Sequence, residues 1–239
     1  MLEPVPEIQD AIVQLGLALL TESALQADLN RILRLAQRTV PGCEAGSVTL
    51  LVEGSPQTEA ALSRVVIAID LAQYEADEGP CLLAAALNTP ILVNVLSADE
   101  RFPHFAERVN GWGPESSLSL PVTIGKDVIG SLNLYAWQPS AFDPTSQDIA
   151  AVLATQVGIA VAKSRLFEEA KGVALAAQRA ADESSDIAIA EGVVMVLERC
   201  SLDQAQALLR NAASSEAATL VVIARRVIAE IARKLRDPD

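Results

Sequence analysis

The chain has 239 residues, 51% of them apolar but only 3% aromatic, and a formal net charge of −13. That length holds one large domain or an ordinary domain with a small one, and so aliphatic a composition excludes a disordered chain. Three widely spaced cysteines (Cys43, Cys81, Cys200) and a single histidine (His104) exclude a disulfide framework, a zinc ribbon, other metal sites and His-based triads, and the thiols are expected as buried small hydrophobes.

The opening segment "MLEPVPEIQD" is acidic and proline-bearing, without the basic then apolar order of a signal peptide. Apolar runs such as Ala11 to Leu20 fall short of the roughly 20 residues that cross a bilayer, so a cytoplasmic protein without membrane contact is expected. From Ile8 to Val40 the apolar spacing suits helices, with a polar break at Thr21–Ser23 and Leu25, Leu29, Ile32, Leu33 and Ala36 on one face of the second. "PGCEAG" ends it, "SVTLLVEG" reads as a strand with a turn, and "LSRVVIAID" reads as a second strand.

"EGPCLLAAALNTP" predicts a short helix bounded by Gly79-Pro80 and by Asn88 and Pro90. "ILVNVL" is strand-like, and "SADERFPHFAERV" leads into another short helix. "SSLSLPVTI" and "VIGSLNLYAW" follow as two strands joined at "GKD", and their alternating leucines imply a sheet covered on one face. A long helical stretch begins after Asp143 and Pro144, with Gly158 and Gly172 as weak points, up to the punctuation "DESSD". Three helical patterns close the chain: Ile187 to Glu198, Leu202 to Ala213 and Leu220 to Leu235. The expected fold is α+β: an antiparallel sheet with flanking helices, a long helical connector that suits a dimerising coiled-coil seam, and a C-terminal three-helix bundle.

The tail "IAIAEGVVMVLERCSLDQAQALLRNAA" with "LVVIARRVIAEI" resembles the ANTAR domain, a three-helix RNA-binding module of bacterial transcription antiterminators. Ala190, Gly192, Met195, Ala205, Leu209 and Ala224 carry its structural pattern. Gly192 would let a neighbouring helix approach, on a face shared with Ala188 and Met195. The front blocks "IDLAQYEADEGPC", "DERFPHF", "SSLSLPV" and "IGSLNLYAW" resemble the GAF sensory domain that precedes ANTAR in many actinobacterial regulators. The resemblance implies a sensor over 1–165, a connector over 166–183 and an output domain over 184–239.

It also implies a homodimeric regulator, not an enzyme, that takes a small-molecule or protein signal and binds RNA hairpins to control antitermination. No cofactor is expected. Candidate pocket residues in the sensor are Tyr74, Cys81, Trp112 and Ser117, with Ser119, Asn133 and Tyr135; core packing is the competing reading for each. Candidate RNA contacts are Arg199, Arg210, Asn211 and Arg225, with Arg226, Arg233 and Lys234. Residues 171–239 hold nine basic and ten acidic side chains against nine and 21 before them, and within them residues 225–236 hold five basic side chains against one acid, Glu230, a local basic patch on an acidic protein. The same cations suit a solvated helix face that balances the C-terminal dipole. Glu191, Asn211 and "EAATLVV" depart from the ANTAR pattern by removing basic or polar positions, and they support the alternative of a dimeric sensor or protein-interaction module whose output has lost RNA binding.

Overall fold

The computed structural model describes residues 24–236, so the helical pattern expected between Ile8 and Ser23 lies outside the described residues. The chain divides into two compact units, Met1–Leu166 and Phe167–Asp239.

In the first unit, helix α1 (Leu25–Thr39) buries Leu29, Ile32, Leu33 and Ala36 at helical spacing. Strands β1 (Ala45–Val52) and β2 (Ser55–Ala61) form a hairpin. Its turn residues Glu53 and Gly54 both have positive φ, 51° and 81°, as a tight two-residue turn requires. The strand expected over "LSRVVIAID" is instead helix α2 (Arg64–Ala76). The β-branched run favours strand locally, but Ser63 caps the helix by accepting from the Val66 N–H, and Val66, Ile69, Asp70 and Gln73 share one buried helical face. The second strand is the polar segment before it, whose Pro56 is tolerated because β2 is a sheet edge.

Helix α3 (Pro80–Leu87) runs between Gly79 and the left-handed cap Asn88, as its punctuation predicts. Strand β3 (Ile91–Val93) is shorter than the run "ILVNVL", and helix α4 (Pro103–Arg108) follows. Strands β4 (Ser116–Ile124) and β5 (Asp127–Ala136) complete a five-stranded antiparallel sheet of order β2-β1-β5-β4-β3. One face carries Val48, Leu118, Leu120, Leu132 and Leu134 against α1 and the first turns of helix α5 (Pro144–Glu198), through Leu153 and Val157. The opposite face is covered too, by α2, α3 and α4 through Val66, Ile69, Ala84 and Phe105. Alternation thus misled on one point: the face that reads as wet is a second buried layer.

Helix α5 runs 55 residues through "DESSD" without a break, since serine and acidic residues cost little in an exposed helix and no proline intervenes. It is long and apolar enough by composition to cross a membrane, although its Leu153, Ala154, Val157, Ala160 and Val161 are core residues of the first unit. Gly158 lies where a Cβ would collide with the Thr123 carbonyl, so it permits close helix-to-sheet approach.

In the second unit the last turns of α5 join α6 (Leu202–Ser215) and α7 (Leu220–Arg236) around Ala190, Leu209, Ala213, Ile223 and Ala224. Ser201 and Gln204 form a reciprocal capping box at the start of α6. Ala190, Ala205, Leu209 and Ala224 are buried, but Gly192 is exposed and a Cβ there would meet nothing. The packed face is Ile187, Ala190 and Val194, not Ala188, Gly192 and Met195. A helix turns about 100° per residue, and the two sets differ by one to two positions. Gly172 is equally unobstructed, so Gly172→Ala and Gly192→Ala should each stabilise the chain by roughly 0.5–1 kcal/mol in urea unfolding. A loss of stability would mean that these glycines touch something not seen in the isolated chain.

Candidate functional site

The side chains that point from the sheet toward α2 and α3 are polar, and register aligns them in rows. Ser47 faces Asn133, which faces Ser119; Thr49 faces Ser131; Tyr135 faces Ser117. Helix α2 lowers Asp70, Gln73 and Tyr74 onto this layer. Asp70 accepts hydrogen bonds from Tyr135 OH at 2.7 Å, Thr58 Oγ1 at 2.9 Å and Ser47 Oγ at 3.0 Å. Tyr74 OH shares hydrogen bonds with Thr49 Oγ1 at 2.8 Å and Thr58 Oγ1 at 3.0 Å. Asn133 Nδ2 donates to Thr49 Oγ1 and Ser47 Oγ, at 2.9 and 3.2 Å.

Gln73 ties this network to α3: its Nε2 donates to Tyr135 OH and its Oε1 accepts from the Cys81 N–H, both at 3.0 Å. Gly79, at φ 148°, leaves room for that side chain, which a Cβ would strike. Burial pushes the Asp70 carboxyl up to about 6, against the lowering effect of hydrogen bonds from Tyr135, Ser47 and Thr58. Burial and the neighbouring Asp70 push the Tyr135 hydroxyl and the Cys81 thiol well above their usual ranges. A thiol so held is a poor nucleophile.

Four buried polar atoms of this layer have no hydrogen-bond partner among the described residues: Ser117 Oγ, Ser119 Oγ, Ser131 Oγ and Asn133 Oδ1. Leaving such a group unpaired costs about 1–3 kcal/mol. Four on adjacent strands of one sheet face mark a place where chemistry outranks packing.

The structure brings six of the seven sequence-predicted pocket residues, Tyr74, Cys81, Ser117, Ser119, Asn133 and Tyr135, to this layer. It does not bring Trp112, which lines an open groove of about 600 Å³ with Trp137, Arg34, Gln37 and Glu44. Asp70, Ser47, Thr49, Thr58, Gln73 and Ser131 were not foreseen. Helical spacing from Ser63 through Gln73 would have revealed the α2 members, and strand parity with Asn133 would have revealed Ser131. His104 is a surface partner of Glu78, with Nδ1 3.2 Å from Oε2, while the Phe105 N–H donates to Oε1. Cys43 and Cys81 are buried as expected, whereas Cys200 is only half-buried.

In the second unit, three of the predicted RNA contacts are engaged by acids. Arg225 Nε lies 2.7 Å from Asp186, Arg226 Nη1 2.5 Å from Glu216, and Lys234 Nζ 3.1 Å from Glu230. Arg199, Arg210, Asn211 and Arg233 are exposed, and the three arginines among them make no salt bridge among the described residues. Val222 is exposed and Val221 half-buried. Exposed Leu197 and Leu208 border a mainly apolar groove of about 350 Å³.

A family model described as GAF domain matches residues 22–162, more than half of the chain. The fold is similar to that of the GAF domain from an Acinetobacter phosphoenolpyruvate-protein phosphotransferase, at 18% identity and a TM-score of 0.55 over 68% of this chain and 96% of that one. It is also similar to a domain described as part of a two-component sensor histidine kinase protein from Sinorhizobium meliloti, at 19% identity and a TM-score of 0.53 over 63% and 99%. A third is the free methionine-R-sulfoxide reductase of Neisseria meningitidis, at 15% identity and a TM-score of 0.52 over 67% and 91%. No curated protein matches the chain.

Proposed function

The chain belongs to the GAF domain family, and we propose that it is a non-enzymatic, cytoplasmic signalling regulator whose second unit binds RNA hairpins in the manner of ANTAR domains to control antitermination. The polar layer under α2 and α3 receives the signal. Strand β5 is one residue thick between that layer and the core: Asn133 and Tyr135 point into it, while Leu132 and Leu134 pack toward α5. A rearrangement of the polar layer therefore acts on α5 with no intermediary but one strand.

The observation that carries the relay is the surface of α5. Residues 165–185 are all exposed, and Val152, Ile159, Leu166 and Val173 recur every seventh residue with 41%, 48%, 67% and 67% of their surface open. Apolar residues at that period fill one of the two seam positions in each heptad of a left-handed coiled coil, and a lone helix of this length keeps such a stripe wet at a cost. The occupant we propose is α5 of a second copy, which makes the regulator a homodimer.

The test uses the intact chain and paired RNA hairpins at two salt concentrations. Arg210 and Arg233 are the residues to reverse, because among the described residues neither holds a salt bridge that reversal would break. Saturable, salt-sensitive binding that falls about tenfold or more in the Arg210→Glu/Arg233→Glu chain supports the RNA reading. The Leu166→Glu/Val173→Glu chain should run as a monomer in light scattering. Absence of RNA binding by the folded wild-type dimer favours the second reading, a sensor that acts through protein contacts. The ion pairs at Arg225, Arg226 and Lys234 and the apolar groove beside Leu197 and Leu208 support that alternative.

A further inference from the structure

The unpartnered atoms of the polar layer define a ligand chemistry. Ser117, Ser119, Ser131 and Asn133 are at most 1% exposed. They lie on β4 and β5 beneath α3, whose inner residues Pro80, Cys81 and Ala84 are small. Small side chains on both sides let the helix settle closely, but they offer the three hydroxyls and the Asn133 carbonyl nothing to bond. Left-handed residues bracket α3, with Asp77 at φ 52° and Gly79 at φ 148° before it and Asn88 at φ 51° after it. It is a short rigid piece between two sharp turns.

We propose that this face binds a small uncharged molecule bearing hydroxyl or amide groups, held between β4–β5 and α3, which serves as its movable cover. The inference rests on the sensory reading of the first unit and names its ligand class. The described buried polar residues of the unit include no lysine, arginine or histidine, so a phosphate or carboxylate would meet no countercharge from them and would share the layer with Asp70. A cation is not called for either, because Asp70 already accepts from Ser47, Thr58 and Tyr135. Three hydroxyls that donate or accept, beside one carbonyl oxygen that only accepts, suit a partner with several groups of mixed polarity. A polyol or a carboxamide has that character.

The experiment is thermal unfolding and amide hydrogen exchange of the full chain with nicotinamide and with erythritol, against 3′,5′-cyclic AMP as an anionic probe. At least one uncharged probe should raise the melting temperature and slow exchange over residues 81–87, and cyclic AMP should do neither. The Ser117→Ala/Ser119→Ala/Ser131→Ala chain supplies the decisive comparison. Without unpaired hydroxyls it should melt a few degrees above wild type when no probe is present, yet lose the probe-dependent protection of α3. Erythritol stabilises proteins generally by exclusion from their surface, so only the difference between the two chains counts for that probe.

The proposal is overturned if neither uncharged probe protects α3, if the triple variant keeps the protection, or if that variant melts below wild type. Cyclic AMP protecting α3 in place of the uncharged probes would overturn the ligand class and leave the sensory reading intact. Uncharged probes that bind without changing dimerisation or RNA affinity would leave the site standing and remove the signalling role.

Discussion

A Lys163→Met chain is expected to lose about 2–4 kcal/mol of unfolding free energy in the first unit. Asp28 lies on α1 with its side chain wholly buried, and Lys163 Nζ reaches its Oδ2 from α5 at 2.6 Å. Arg31, one turn along α1, comes only within 3.6 Å of Oδ1. Removing the ammonium leaves a carboxylate inside the helix layer with weakened compensation. The loss falls short of the largest known for buried pairs because the Lys163 side chain keeps 28% of its surface in water. An Asp28→Leu/Lys163→Met chain should recover most of the deficit, since an apolar pair has no desolvation penalty to offset. Both tryptophans, Trp112 and Trp137, belong to the first unit, so urea unfolding followed by their fluorescence reports this unit. A single variant within a few tenths of a kcal/mol of wild type would mean that water screens the pair. The ion pair fastens α5 to α1 three residues before the first unit ends at Leu166.

Local chemistry made α1, α3, β4 and β5 legible: an amphipathic period, a Gly-Pro start with an Asn stop, and alternating leucines. It failed at α2, where Val65, Val66 and Ile67 favour strand and only Ser63 announces a helix. It failed again on the second sheet layer. Alternation tells which residues share a face, but whether that face meets water depends on elements distant in the chain. Ser119 and Asn133 were therefore identified through family resemblance, while Asp70, Thr49 and Ser131 went unnoticed. Trp112 was misplaced for the converse reason: its ring suits a pocket, yet its position after α4 turns it to the groove beside Trp137. In the second unit the helices were plain in the sequence but their packed faces were not, because a phase error of one to two residues replaces Ala190 and Val194 with Gly192 and Met195.

Asp70→Asn is expected to remove a pH dependence worth about 3 kcal/mol, the equivalent of raising this carboxyl from 3.8 to about 6. Well below pH 3.8 the group is protonated in folded and unfolded chains alike, and it imposes no charge on the buried layer. As pH rises from about 4 through about 6, the unfolded chain releases this proton while the folded chain still holds it, so native stability falls. Above that window both states are ionised and the contribution is constant. Tyr74, Tyr135 and Cys81 face the same layer, but all three are pushed upward from already high values and stay protonated throughout. Carboxylates held low, such as Asp99 beside Arg101, give a slope of opposite sign at lower pH, but it is common to both chains and cancels in their difference. Urea midpoints at a series of pH values should thus show Asp70→Asn gaining on wild type between pH 4 and 6 and running parallel above. Parallel profiles across the whole range would mean that water reaches Asp70. The retained amide oxygen still accepts from Tyr135 and Ser47, so the variant separates the charge of Asp70 from its place in the network.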